Sequence, residues 1–112
     1  MMILTEPISR KALADIAQTI YGDMVKAVVD VGASKLAIDA ELHSDLEQML
    51  LQDGSSQEDL WGINLYPEMD GEDFIEFDSM INIRPRQGNP SRDVLDSSIR
   101  EKIARVVNSY IL

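Results

Sequence analysis

A chain of 112 residues, 45 % apolar and 27 % charged, is expected to make one small globular domain, residues 1–112, with a modest core. It has no cysteine, which excludes disulfides, thiolate nucleophiles and Cys-ligated zinc or iron–sulfur centres. The net charge of −10 is concentrated: Leu36 to Ile83 holds 13 Asp and Glu and no Lys or Arg. Nucleic acid, which is bound by neutralising phosphates, is therefore not an expected partner. No window approaches the roughly 18 consecutive apolar residues of a membrane span, and "MMILTEPISR" lacks the basic flank and long apolar stretch of a secretory signal. The expected setting is cytoplasmic, with no membrane partner.

In chain order, "MMILT" suits a short strand. Ser9 suits the N-cap of a first helix, whose stripe of Leu13, Ile16, Ala17 and Ile20 runs up to Gly22. "MVKAVVDVGASKLAIDAEL" then has period two: Val25, Ala27, Val29 and Val31 share a face, as do Leu36, Ile38, Ala40 and Leu42 beyond the "GASK" turn. Pairing Val31 with Leu36, Val29 with Ile38, Ala27 with Ala40 and Val25 with Leu42 sets every apolar residue opposite another. Ser44 and Glu47 have capping-box spacing for a second helix carrying Leu46, Met49 and Leu50, ended near Gly54.

A second hairpin is expected from Trp61, Ile63 and Leu65 against Ile75, Phe77, Ser79, Ile81 and Ile83, turning at "MDG". Ser98 with Glu101 opens a last helix with a stripe of Ile99, Ile103, Val106, Val107 and Tyr110. The order (β)αββαββα implies an α+β fold: a mostly antiparallel four-stranded sheet, five-stranded if the N-terminal run joins, with three helices on one face. The opposite face would be mixed. Met24, Val28, Ala37, Leu60, Phe74 and Met80 lie among carboxylates and asparagines there, which suits a partner or homodimer surface.

No catalytic signature is present, and no motif names a cofactor. The stretch "INIRPRQGN" ends an apolar run in two arginines around a proline. A strand end with Arg84 paired to Glu76 or Asp78 is the simpler reading. The functional one is an anion clamp, with Arg84 and Arg86 holding a small anion, Asn64, Asn82 and Asn89 orienting it, and Tyr66 and Glu76 lining the site. The single histidine, His43, lies among Glu41, Asp45 and Glu47, which invites an acid–base or metal role. Recognised ligand spacing such as HExxH is absent, so no metal is assigned, and local packing before the helix is the simpler reading of His43.

The stretches "PISRKALADIA", "ELHSDLEQMLLQDGSSQEDLWGINLYPE" and "FIEFDSMINIRPRQGN" together resemble a family of small uncharacterised bacterial, largely cyanobacterial, proteins classified only as a domain of unknown function. The resemblance implies a single-domain bacterial protein and carries no activity, cofactor or site residue with it. From the residues, the expectation is a self-associating, non-enzymatic binding module with an arginine-bearing loop, its partners a second copy, a small anion or another protein. The alternatives are an enzyme using His43 with nearby carboxylates, and a regulatory or toxin–antitoxin-type protein whose acidic surface meets a basic partner.

Overall fold

The chain order in the computed structural model, which describes residues 1–112, is β1 (Met2–Ile3), α1 (Arg10–Ala17), β2 (Val25–Asp30), β3 (Lys35–Ile38), α2 (His43–Gln52), β4 (Leu60–Leu65), β5 (Ile75–Glu76) and α3 (Ser97–Tyr110). The strands form one antiparallel sheet in the order β1-β3-β2-β4-β5. The α+β class, the element order and the N-terminal fifth strand are as the sequence implies.

The β2–β3 hairpin keeps its expected faces from Val25 to Val31 and at Leu36 and Ile38, but Ala40, beyond Asp39 at φ +73°, turns to the α2 side, Leu42 is exposed, and the register is not the expected one. Val29 faces Leu36 and Ala27 faces Ile38, two residues tighter than the pairing that maximised apolar partners. Turn chemistry decides this. The buried Asp30 carboxylate accepts from the backbone N–H groups of Gly32 and Ala33, each at 2.9 Å, and from the Ser55 hydroxyl at 2.6 Å, while Ser34 takes a left-handed φ of +57°. Asp30 and Lys35 thus close the ladder. A shift of two preserves the faces, because side chains alternate with period two.

The helices divide between the two faces, contrary to the expectation of three on one. Leu13 and Ala17 of α1 and Ile103, Val106 and Val107 of α3 pack on the face of Val25, Ala27, Val29, Leu36, Ile38, Trp61, Ile63 and Leu65. On the other face, Leu46 and Leu50 of α2 pack on Val28, Ala37 and Leu60. Of the mixed face expected to await a partner, Val28, Ala37 and Leu60 are covered by α2, whereas Phe74 packs in the core on the α1/α3 side and Met80 is exposed. Complete burial of Val28 beside Ala27 and Val29 also shows β2 covered on both sides.

The long last strand is the main departure. Only Ile75–Glu76 pairs with β4, and Met80–Asn82 and Pro85–Gln87 form single helical turns. Residues 79–82 cross close above Gly62, where a Cβ would lie 2.5 Å from the Ser79 Cβ and Oγ. Ile81, expected under the α1/α3 side, packs instead on the α2 cluster.

Early termination of β5 leaves the outer edge of β4 to be satisfied by other means. The Asp59 carbonyl accepts from Val31 N at 3.0 Å, so the odd residues of β4 bond toward β2 and the even ones toward β5. Asn64 still faces Glu76 of β5. Gly62 instead receives the Asn82 carboxamide, its N–H donating to Oδ1 at 2.8 Å and its C=O accepting from Nδ2 at 2.9 Å. Leu60 C=O receives the Arg84 guanidinium. Two side chains thus do the work of the missing half-strand.

Candidate functional site: a donor-lined pocket at the start of α2

The "RPRQGN" segment folds into a closed loop. Arg84 N–H donates to Asn89 C=O at 2.6 Å and Asn89 N–H returns a bond to Arg84 C=O at 3.1 Å, with Gly88 in the left-handed region at φ +76°. Buried Asn89 donates through Nδ2 to the carbonyls of Asn82, Ser91 and Asp93 and accepts from Leu95 N–H. Besides Leu60 C=O, Arg84 donates to Ile81 C=O at 3.0 Å and Gln57 C=O at 2.8 Å. Its ionic partner is Glu47 at 3.8 Å, not Glu76 or Asp78, and its guanidinium stacks 4.7 Å from the centre of the Trp61 ring. Burial lowers the Arg84 pKa from its ordinary value, opposed by Glu47 and Glu58. With its donors committed to backbone carbonyls, Arg84 has little left for an anion. Arg86 is exposed at the loop tip and makes no ion pair.

Asn64, Tyr66 and Glu76 do come together. Asn64 Nδ2 donates to Glu76 Oε1 at 2.8 Å and to Asp78 C=O at 3.3 Å, and the Tyr66 hydroxyl donates to the same Glu76 oxygen at 3.2 Å. Burial, and then Glu76, raise the Tyr66 pKa. Asn64 is only 6 % exposed, and its Oδ1 is buried with no donor at hydrogen-bonding geometry.

His43 is the first residue of α2 and buried. Its Nε2 lies 2.8 Å from Ile63 C=O, so the neutral ring carries its proton on Nε2. Burial lowers its pKa. The Ile63 carbonyl and the nearby Asn64 side chain oppose that shift, and the Lys26 charge adds to it. The carboxylates grouped with His43 by sequence disperse: Glu47 turns to Arg84, and Glu41 and Asp45 are exposed. No group of three or more His, Asp or Glu side chains is placed to hold a metal ion.

α2 begins without a cap. Its N-cap residue is Leu42, which has no side-chain acceptor, rather than Ser44, and Ser44 lies inside the first turn. Asp45 N–H bonds back to Leu42 C=O at 3.2 Å, but the N–H groups of His43 and Ser44 have no protein acceptor. α1 and α3 differ: Ser9 accepts from Ala12 N–H, and Asp96 accepts from the Ser98 hydroxyl and from Ser98 N–H, bonds that hold the Asp96 carboxyl below its ordinary pKa. The uncapped end opens on a cavity of about 140 Å³ whose polar walls are Lys26, His43, Ser44, Ser79 and Arg92. Lys26 makes no ion pair, and Arg92 uses only Nε on Asp78, at 2.6 Å, leaving its terminal nitrogens free.

This arrangement gathers cationic groups, hydroxyls and two backbone amides at the positive end of a helix in an otherwise acidic molecule. Arg84, which the sequence singles out, is committed to backbone carbonyls, and Lys26, Ser44, Ser79 and Arg92, which line this cavity, are not among the residues the sequence points to. One signal was available: Ser44 as cap would have left His43 outside the helix, whereas a start at His43 leaves leucine as the cap.

One family model matches this chain over residues 2–110. The chain belongs to that family, DUF5674, whose members are described only as proteins of unknown function. No curated protein and no solved structure matches it. The match supports the resemblance carried by the quoted stretches and assigns no chemistry. No helix is long and apolar enough to cross a membrane.

Proposed function

We propose that this DUF5674 chain is a non-enzymatic binding module that takes a small oxyanion, a phosphate or carboxylate group, at the start of α2. The observation that carries this reading is that Lys26, whose ammonium also lies 5.5 Å from the Tyr21 ring centre, and Arg92 line the same cavity as His43 and Ser44, whose amides have no protein acceptor. Backbone N–H donors at a helix start satisfy anion oxygens directly, and charged donors strengthen each bond. The neutral, Nε2-protonated His43 ring is fixed by Ile63 and forms a wall of the site, not its base.

Calorimetric titration with inorganic phosphate tests this. Binding is expected, with loss of about tenfold or more in affinity for Lys26→Ala and for Arg92→Ala, the scale of one charged hydrogen bond. Arg86→Ala, in the loop singled out by sequence, is expected to bind as the parent does. Unchanged affinity in both pocket variants defeats the reading.

Self-association is a second reading, supported by Leu42 and Met80, which are 55 % and 64 % exposed at the mouth of the same cavity. Sedimentation equilibrium of the parent and of Leu42→Asp separates the two. A dimer lost in the variant, with phosphate binding intact, supports both readings together.

A further inference from the structure

A second surface lies at the far edge of the sheet. β5 is the terminal strand in the order β1-β3-β2-β4-β5, so nothing pairs with its outer side. Tyr66 N–H donates to Phe74 C=O at 2.9 Å, and Asn64 faces Glu76. By antiparallel alternation, the N–H and C=O of Ile75 therefore point away from β4, out of the sheet. Alongside runs an open groove of about 640 Å³ between the Gly71–Asp73 turn and α3, floored by Ile75 and Phe77 and walled by Ala104 and Arg100. Arg100 stacks 4.4 Å from the Phe77 ring centre and is already bound to Asp93 and to Val94 C=O. Past Phe77 the edge closes, since Ser79 N–H donates to Arg92 C=O at 3.1 Å.

The unpaired charge around this edge is one-sided, since Arg100 is paired with Asp93. Glu68, Glu72, Asp73 and Glu76 are exposed and make no ion pair. A second copy is a poor occupant, because edge-to-edge pairing would crowd Glu72, Asp73 and Glu76 of both chains into one short contact, and like charges across a strand pair destabilise it.

We infer that the β5 edge takes an extended basic segment of another protein by strand addition. The segment alternates Lys or Arg with apolar residues. Its backbone bonds to Ile75, its apolar side chains enter the groove over Phe77 against Ala104, and its basic side chains lie beside Glu76 and reach Glu72 and Asp73. Strand addition draws affinity from main-chain hydrogen bonds and specificity from alternate side chains. This surface is separate from the α2 pocket, so either proposal can fail without the other.

The test uses the full chain, labelled for amide NMR, with a seven-residue peptide alternating Lys and Val. Binding is expected to shift the amides from Asp73 to Phe77 and to slow exchange of the Ile75 amide about tenfold or more, as a newly made hydrogen bond does. The charge reversal Glu72→Lys with Asp73→Lys, at exposed turn positions, is expected to weaken the peptide about tenfold at 0.15 M salt, an effect made of two exposed attractions turned into repulsions. A Glu/Val peptide should not bind. A Lys/Val peptide N-methylated at alternate backbone nitrogens keeps every charge but should bind about tenfold more weakly, since it lacks the ladder donors. Equal binding by the N-methylated peptide, absence of binding at about 1 mM, or protection of Ile75 that grows with protein concentration alone each overturns the proposal; the last hands the edge to a second copy.

Discussion

Arg84 and Arg92 leave the same irregular stretch of chain and meet opposite fates. The Arg84 side chain is 10 % exposed and spends its nitrogens on the carbonyls of Gln57, Leu60 and Ile81. The Arg92 side chain is 53 % exposed, uses one nitrogen on Asp78, leaves the others without a protein partner and lines the α2 cavity. The difference originates in β5. Because that strand stops at Glu76, β4 needs side-chain donors along its outer edge, and Arg84 and Asn82 supply them. Arg92 lies beyond the place where that need is met. An arginine's availability to a ligand is set by how many carbonyls around it lack another donor.

Breaking the Arg84 side of this comparison should cost most in stability. Asn82→Ala leaves the N–H and C=O of Gly62 unpaired in a buried site and also loses the bond to Arg92 C=O. A loss of about 3 kcal/mol in chemical denaturation is expected, the sum of two orphaned buried groups. Gly62→Ala should cost about 2 kcal/mol by the same measurement, since its Cβ would press on the Ser79 Cβ and Oγ at 2.5 Å. Arg84→Lys keeps the charge but cannot serve three carbonyls from one fork, and about 1.5 kcal/mol is expected.

His43 sharpens the comparison through pH. Its folded pKa lies below the ordinary 6.5 because burial disfavours the charged ring. The unfolded chain thus binds a proton more readily. The contribution is full above pH 6.5 and is lost as pH falls from there through the folded value. His43→Gln is expected to flatten that part of the stability profile, leaving any remaining acid loss to the carboxylates. The smallest effect belongs to Arg86→Ala, exposed and unpaired, for which a change within about 0.5 kcal/mol is expected.

The elements with clean periodicity were legible: the faces of β2 and β3, the stripe of α3, that of α1 from Leu13 to Ala17 (the helix ends there and Ile20 is exposed), Ser9 as a cap, and Trp61 in the core. Their side chains answer to burial, which period and spacing express directly. The β2–β3 register was not, because Asp30 folding its carboxylate onto Gly32 and Ala33 outweighs two further apolar pairs. Nor was the end of β5 legible, since Ile81 and Ile83 continue the alternation that Ile75 and Phe77 begin. Only the Asn82 carboxamide on Gly62 reveals that the strand is replaced by side chains.

The site was half legible for the same reason. Asn64, Tyr66 and Glu76 meet across a regular strand pair, whereas Asn82, Arg84 and Asn89 were read as ligand groups and serve as backbone partners. The split of helices across the sheet was hidden too. The stripe of α2 does not say which face it covers, although Val28 and Ala37 between covered neighbours are the residues that required it.

The central claim, that the free donors of this molecule converge at the start of α2 and not in the arginine-bearing loop, is tested most directly by an amide NMR titration with inorganic phosphate. The largest shifts are expected at the His43 and Ser44 amides, abolished in Arg92→Ala and retained in Arg86→Ala. Shifts centred on Pro85-flanking residues Arg84 and Arg86, with His43 and Ser44 silent, would contradict it.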